Sequence, residues 1–289
     1  MVRVGFHVSI AGSIDKAVDR ATQLGCDTFQ IFSRNPRGWK FKPLTATTPA
    51  AERFVEKVER SGMFPPVDHM PYLANLAAPS EEVYRRSVAA LAEELRRCEA
   101  LRIPFLVTHL GSHKGRGDGK EQGLRRVANA INTAFSEVEN SVVLLLENTA
   151  GTKNSVGGSF EDLAEILSRV ELERRERVGV CFDTCHAFVA GYDLRTAEGV
   201  SATLRNFDEV VGLGRLKLVH LNDAKAGLNS RLDRHEHIGL GKIGEQGFRA
   251  ILKDRRLRGL PMILETPADE RRGDAENIRK VRELAAELF

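Results

Sequence analysis

An α/β chain closing as a single (β/α)8 TIM barrel is the fold the sequence predicts, on three observations. Eight short apolar runs alternate with eight longer amphipathic stretches from one end to the other. The runs carry little polar alternation, as strands buried on both faces of a parallel sheet do. No Pro-, Gly- or Ser-rich linker interrupts the alternation, so residues 1–289 read as one domain. A doubly wound open sheet is the structural alternative, but eight strand-then-helix units close more simply into a barrel.

The elements follow in order. The run Val4–Val8 leads to a helix over Ser13–Leu24, which begins at a cap-forming Ser and ends before Gly25. Thr28–Phe32 is followed by Pro49–Ser61, stopped by Gly62. Val67–Met70 precedes Ser80–Leu101, which opens Ser-Glu-Glu and keeps i, i+4 apolar spacing. The next pairs are Phe105–Thr108 with Lys120–Val138, and Val142–Leu146 with Ser159–Arg169. Val178–Phe182 with Ala197–Val211, Leu216–Leu221 with Glu245–Asp254, and Met262–Leu264 with Asp274–Leu288 complete the eight.

Composition bounds the function. An apolar fraction of 42% supplies a large core, and 29% charged residues suit a solvated surface. No apolar run approaches the ~18 residues of a membrane span. The opening Met1-Val-Arg-Val-Gly enters a strand-like run without a signal peptide, so a cytoplasmic protein is expected. Cys26, Cys98, Cys181 and Cys185 form no C-x-x-C pair and read as reduced, buried or half-buried thiols. A net charge of +3 is too small, taken alone, to announce a nucleic-acid partner.

Barrel enzymes carry their chemistry at the C-terminal ends of the strands. The third run ends at His69, the fourth at His109, the fifth at Glu147 and the sixth at Asp183. The seventh reaches His220 and the eighth runs into Glu265. One such residue would ordinarily be a hydrogen-bonded or solvated side chain; six in succession point to a shared ligand. Asp183-Thr-Cys-His186 adds an imidazole one helical turn past a strand end, and Asp233-Arg-His235 adds a pair in the loop after the seventh strand. Imidazoles with carboxylates suit Zn²⁺, with Mn²⁺ or Fe²⁺ compatible, and nine such groups exceed one tetrahedral site. A polynuclear catalytic centre is expected. Of the remaining histidines, His7 faces the same mouth as a supporting or substrate-facing group, His113 is expected to be solvated, and His237 to support the 233–235 loop.

The runs HVSIAGS (His7 to Ser13), THLGSHKG (Thr108 to Gly115), LLENTAG (Leu145 to Gly151) and FDTCHAFVAGYD (Phe182 to Asp193) stand in order along the chain. HLNDAK (His220 to Lys225), DRHEHIGLGKIG (Asp233 to Gly244) and LETP (Leu264 to Pro267) follow them. Together they resemble endonuclease IV, the zinc-dependent apurinic/apyrimidinic endonucleases of base excision repair, and the resemblance spans essentially the whole chain. It implies a trinuclear zinc site. One zinc would take His69, His109 and Glu147; a second would share Glu147 and add Asp183, His220 and Glu265; the third would take His186, Asp233 and His235. Glu147 and Glu265 would border the nucleophile. The implied reaction hydrolyses duplex DNA 5′ to an abasic site, leaving a 3′-hydroxyl and a 5′-deoxyribose phosphate, with trimming of blocked 3′ ends as a second activity. The loop SRNPRGW (Ser33 to Trp39) offers Arg34, Arg37 and Trp39, and MPYLANL (Met70 to Leu76) offers Tyr72 and Leu73. By the resemblance Arg37, Tyr72 and Leu73 enter the minor groove and wedge the base stack. A monomer without an obligate protein partner is implied as well.

Two other readings compete. A sugar isomerase or epimerase of the xylose isomerase type would use the quartet Glu147, Asp183, His220 and Glu265, but leaves His69, His109, His186, Asp233 and His235 without a purpose. A non-catalytic, metal-dependent DNA-binding protein would not need groups that generate a nucleophile.

Overall fold

A computed structural model of the chain describes residues 2–115 and 119–287. Eight parallel strands close a barrel: β1 (Arg3–His7), β2 (Thr28–Ile31), β3 (Pro66–His69), β4 (Phe105–Thr108), β5 (Val143–Glu147), β6 (Val178–Asp183), β7 (Leu216–His220) and, last in the chain, β10 (Pro261–Leu264). Each pairs with the barrel strand that follows it in the chain, and β10 pairs with β1 to shut the ring. The predicted fold and the eight strand positions agree with this, within a residue or two at the ends.

Eight helices follow the strands around the outside: α1 (Lys16–Leu24), α2 (Pro49–Ser61), α3 (Glu81–Ala100), α4 (Lys120–Glu137), α5 (Phe160–Arg169), α7 (Ala197–Val210), α8 (Gly244–Lys253) and α9 (Asp274–Ala286). The last predicted helix extends to Leu288, which lies outside the described residues. Among the described residues, two 3-10 turns (Leu172–Arg177 and Leu213–Arg215) and three elements near the barrel mouth are not predicted from the sequence. A short helix α6 (Thr184–Ala190) follows β6 directly, and β8 (Asp223–Ala224) pairs antiparallel with β9 (His235–Glu236) after β7. Short elements carry too few periods of hydrophobic pattern to be read from one sequence. Capping also differs in detail. Ser159 caps α5 by accepting from the Asp162 N–H, whereas Ser13 bonds the Asp15 side chain and caps nothing.

Two cores result. The larger lies between strands and helices; the smaller fills the barrel lumen with Val67, Val107, Leu145, Cys181, Leu218 and Ile263. Because side chains alternate faces along a strand, each lumen residue points the same way as the residue two positions on. Those residues are His69, His109, Glu147, Asp183, His220 and Glu265. The same count from Gly5 and Thr28 in β1 and β2 gives His7 and Gln30. An apolar plug therefore carries a polar ring of eight side chains, one per strand. The ring closes tightly at β1, where a Cβ on Gly5 would stand 1.6 Å from the Thr28 carbonyl oxygen. Among the described residues no helix is long and apolar enough to cross a membrane.

Candidate metal centre

The ring side chains meet at the barrel mouth. Glu147, Asp183 and His220 are wholly buried, and His69 and His186 nearly so. The sequence places Glu147 at a strand rim; in the structure it is the centre. One of its oxygens, Oε2, lies 3.2 Å from both His69 Nε2 and His109 Nε2. The other, Oε1, lies 3.1 Å from His186 Nδ1 and 3.4 Å from His220 Nδ1. His220 Nδ1 is also 3.3 Å from Glu265 Oε2. The short helix α6 adds His186, because the Asp183 carboxylate caps that helix by accepting from the His186 N–H at 2.7 Å. The ribbon of β8 and β9 brings Asp233 within 3.3 Å of His186 Nε2, and holds His235 Nε2 3.7 Å from Asp233 and Asp183.

Among the described residues four ligand-competent groups emerge, three of them being His69 with His109 and Glu147; Glu147 with Asp183, His220 and Glu265; and Asp183 with His186 and His235. Asp233 joins His235 together with Cys185, a thiol the sequence reading did not place at the site.

Four of the five candidate imidazoles are oriented as metal ligands are, with one nitrogen donating to an oxygen and the other turned to the cluster. Nδ1 of His69 donates to the Met70 carbonyl at 2.8 Å, and Nδ1 of His235 to the Glu265 carbonyl at 3.0 Å. Nδ1 of His186 donates to the Asn148 carbonyl at 3.0 Å. His220 is inverted, with Nε2 donating to the Gln30 side-chain oxygen at 2.9 Å. Among the described residues, four buried polar atoms at this site lack a hydrogen-bond partner: Glu147 Oε1, His220 Nδ1, His235 Nε2 and His7 Nε2. Unpaired buried polar atoms are costly. Three of the four belong to ligand candidates and aim at shared points, so the donor set fits metal ions.

The electrostatics agree. Burial alone would raise the Glu147 carboxyl, but His109 and His220 hold it well below the usual range. Glu265 is likewise held low against burial, by His220 and by its hydrogen bond with His7. Burial disfavours charge on His109, His186 and His220, yet nearby acidic groups raise all three above the ordinary imidazole value; Glu147 leads for His109, Asp183 for His186, and Cys181 ahead of Glu265 for His220. His69 has burial dominant and falls below it. Carboxylates this deep require positive partners, and dications would serve in place of imidazole protons.

A cavity of about 310 Å³ opens over the ring. Tyr72 stands on its rim, 59% exposed, its ring 4.8 Å from that of Phe32, and Leu73 beside it is 38% exposed. Arg37 is exposed at the tip of its loop. Arg34, read as a further mouth residue, is instead buried in an ion pair with Glu94, and Trp39 packs half-buried under Arg86. His237 supports the loop as expected, bonding Asp269 at 2.9 Å and Asn277 at 3.0 Å. His113 is half-buried rather than free in solvent, accepting from the Gly115 N–H.

Residues 18–288 match the family model described as a xylose isomerase-like TIM barrel. The chain is 62% identical to the probable endonuclease 4 of Methanoculleus marisnigri, over 99% of each protein. It is 50% identical to that of Nitrosopumilus maritimus, over 98% of this chain and all of the relative. The chain belongs to the endonuclease IV family. The solved endonuclease IV of Thermus thermophilus superposes with a TM-score of 0.85 at 41% identity, over 99% of each chain. A D-tagatose 3-epimerase-like protein superposes at 0.74 with 19% identity, a likeness of fold alone. Endonuclease IV membership makes this chain an endonuclease, hence a hydrolase, and leaves the isomerase reading less supported.

Gln30 is the ring member that the sequence reading misses. Its signal was present: one polar residue inside the apolar run Thr28–Phe32, two positions past an inward-facing Thr28.

Proposed function

We propose that this endonuclease IV hydrolyses duplex DNA 5′ to abasic sites, leaving a 3′-hydroxyl, as a monomeric single-domain enzyme of base excision repair. The same centre would trim blocked 3′ ends, since the bond type is the same. The observation that carries the reading is the convergence of nine imidazole and carboxylate side chains, with their free nitrogens and oxygens facing one another at the barrel mouth. His69, His109 and Glu147 would hold one zinc ion; Glu147, Asp183, His220 and Glu265 a second; His186, Asp233 and His235 a third. Such ions, when bound, supply Lewis acidity, which activates water near neutral pH and neutralises charge growing on the phosphate.

The protein's own groups do the rest. Glu147 Oε1 and Glu265 Oε2 flank one point, 3.4 and 3.3 Å from His220 Nδ1, and being held ionised they orient whatever donor sits between them. His7 Nε2, buried and unpartnered at the cavity, is placed to meet a substrate oxygen. Tyr72, Leu73 and Arg37 stand beyond the ring, where an aromatic, an aliphatic and a cation can displace a base step and grip phosphate. An abasic nucleotide is the cheapest to rotate out, because it has no base to unstack.

Incubation of the zinc-loaded protein with duplex DNA holding one abasic site tests the reading. Incision leaving a 3′-hydroxyl and abolished by chelator is expected. Intact duplex at equal protein and substrate concentrations would overturn it.

A further inference from the structure

We infer that Gln30 is a positioning residue of the metal centre: its buried amide dictates which nitrogen of His220 faces the cluster and anchors Glu265 beside it. The inference rests on reading Glu147, Asp183, His220 and Glu265 as metal ligands.

Three of the oriented imidazoles, His69, His186 and His235, are held by main-chain carbonyls. Those acceptors belong to the backbone and do not depend on any one side chain. His220 differs. Its Nε2 meets a side-chain oxygen, Gln30 Oε1, at 2.9 Å. An amide oxygen can only accept, so Nε2 carries the proton and Nδ1 keeps its lone pair for a ligand. That Nδ1 is the buried nitrogen without a hydrogen-bond partner, 3.4 Å from Glu147 and 3.3 Å from Glu265.

The other end of the amide settles its orientation. Gln30 Nε2, which can only donate, lies 2.8 Å from Glu265 Oε1 and 2.8 Å from His7 Nδ1. Turning the amide over would set its oxygen against the Glu265 carboxylate, a repulsion in place of a bond. Gln30 thus ties one oxygen of Glu265 and leaves the other, Oε2, aimed at the cluster. The side chain is wholly buried at the mouth of the lumen, so an amide is tolerable there only with both ends bonded. One residue on β2 therefore orients two ligands carried by β7 and the loop after β10.

The test uses the full-length protein with Zn²⁺ as the only ligand, and compares wild type with Gln30→Met and Gln30→Asn. Methionine keeps the volume and loses the hydrogen bonds; asparagine keeps the amide but is one methylene too short to reach both partners. Zinc affinity by chelator competition, zinc per chain by elemental analysis and the visible spectrum of the Co²⁺-substituted protein are recorded, with circular dichroism as the check on folding. Removing an orienting partner of a ligand weakens metal binding by about 10- to 100-fold. We expect a loss in that range for one zinc in Gln30→Met, a smaller loss in Gln30→Asn, a changed cobalt spectrum in both, and no change for the remaining zinc. If Gln30→Met does not fold, Gln30→Asn carries the comparison. Wild-type affinity and spectrum in a folded variant would overturn the role of Gln30 while leaving the metal centre standing. Wild type that binds no zinc would overturn the metal reading and this inference with it.

Discussion

At the scale of single residues, exposure separates the rim side chains proposed to grip DNA from the centre of the proposed metal site. Tyr72 and Leu73 keep their apolar surfaces in solvent although a core lies beneath them, whereas Glu147, Asp183 and His220 are wholly buried. Tyr72→Ala is therefore expected to slow incision of abasic duplex by tenfold or more in kcat/KM, equivalent to about 1.4 kcal/mol, with zinc content unchanged. Steady-state kinetics beside elemental analysis checks this, and an unaltered rate would remove Tyr72 from the wedge. The ligand histidines lead to a pH dependence. His109, His186 and His220 bind protons above the ordinary imidazole value in the absence of metal. Protons and cations compete for the same nitrogens, so zinc affinity must already be falling as pH drops through 7, by up to about tenfold per pH unit for each imidazole involved. Chelator competition at pH 8 and pH 6 measures it; affinity independent of pH would contradict the assignment. Residue type and strand-end position suffice to make nine ligand candidates legible in the sequence. Arg34 shows the limit of such reasoning, since its partner Glu94 stands 60 positions away in the chain and nothing local marks the pair.

At the scale of elements, the alternation of the strand converts spacing into direction. A residue two beyond a lumen-facing apolar side chain must itself face the lumen, and six strands obey this with a histidine or an acid. Gly5 occupies the corresponding position beneath His7, where β1 approaches β2 too closely for any side chain. Gly5→Ala should cost about 3 kcal/mol or more, because the atom it would strike belongs to the backbone and cannot rotate away. Urea unfolding provides the measurement, and an unchanged midpoint would refute the close approach. The loop after β9 shows a similar economy. The buried Asp223 carboxylate accepts from the N–H groups of Gly239, Gly241, Ile243 and Gly244 at 2.9–3.3 Å, and so folds the GLGKIG segment over the ribbon that carries His235. Neither the ribbon nor α6 could be read from periodicity, yet the two present His186, Asp233 and His235. Their shape comes from hydrogen bonds to particular groups, and two or seven residues hold too little pattern to announce them.

At the scale of the whole molecule, charge must be counted with the metals in place. Formal net charge is +3, and the acidic candidate ligands contribute negatively to it. Dications bound at the barrel mouth would raise the charge where a phosphate must arrive, so DNA affinity should depend on them as well as on Arg37. Binding of abasic duplex is expected to fall linearly in log–log form with salt, by a slope of about −0.9 per phosphate contact, and to weaken again on chelation. Fluorescence anisotropy over a salt series, with and without chelator, reads both; a metal-free protein binding DNA equally well would contradict the arrangement. The sequence by itself determined the repeating strand-and-helix order, the closing of eight units, the ligand types and their strand ends, because propensity, periodicity and capping act over a few residues. Tertiary structure decided which candidate ligands meet, that Glu147 is the shared centre of the cluster, that Arg34 is buried, and that Gln30 belongs to the ring. Gln30 and His220 lie 190 positions apart, and only closure of the barrel brings an amide on its second strand within 2.9 Å of an imidazole on its seventh.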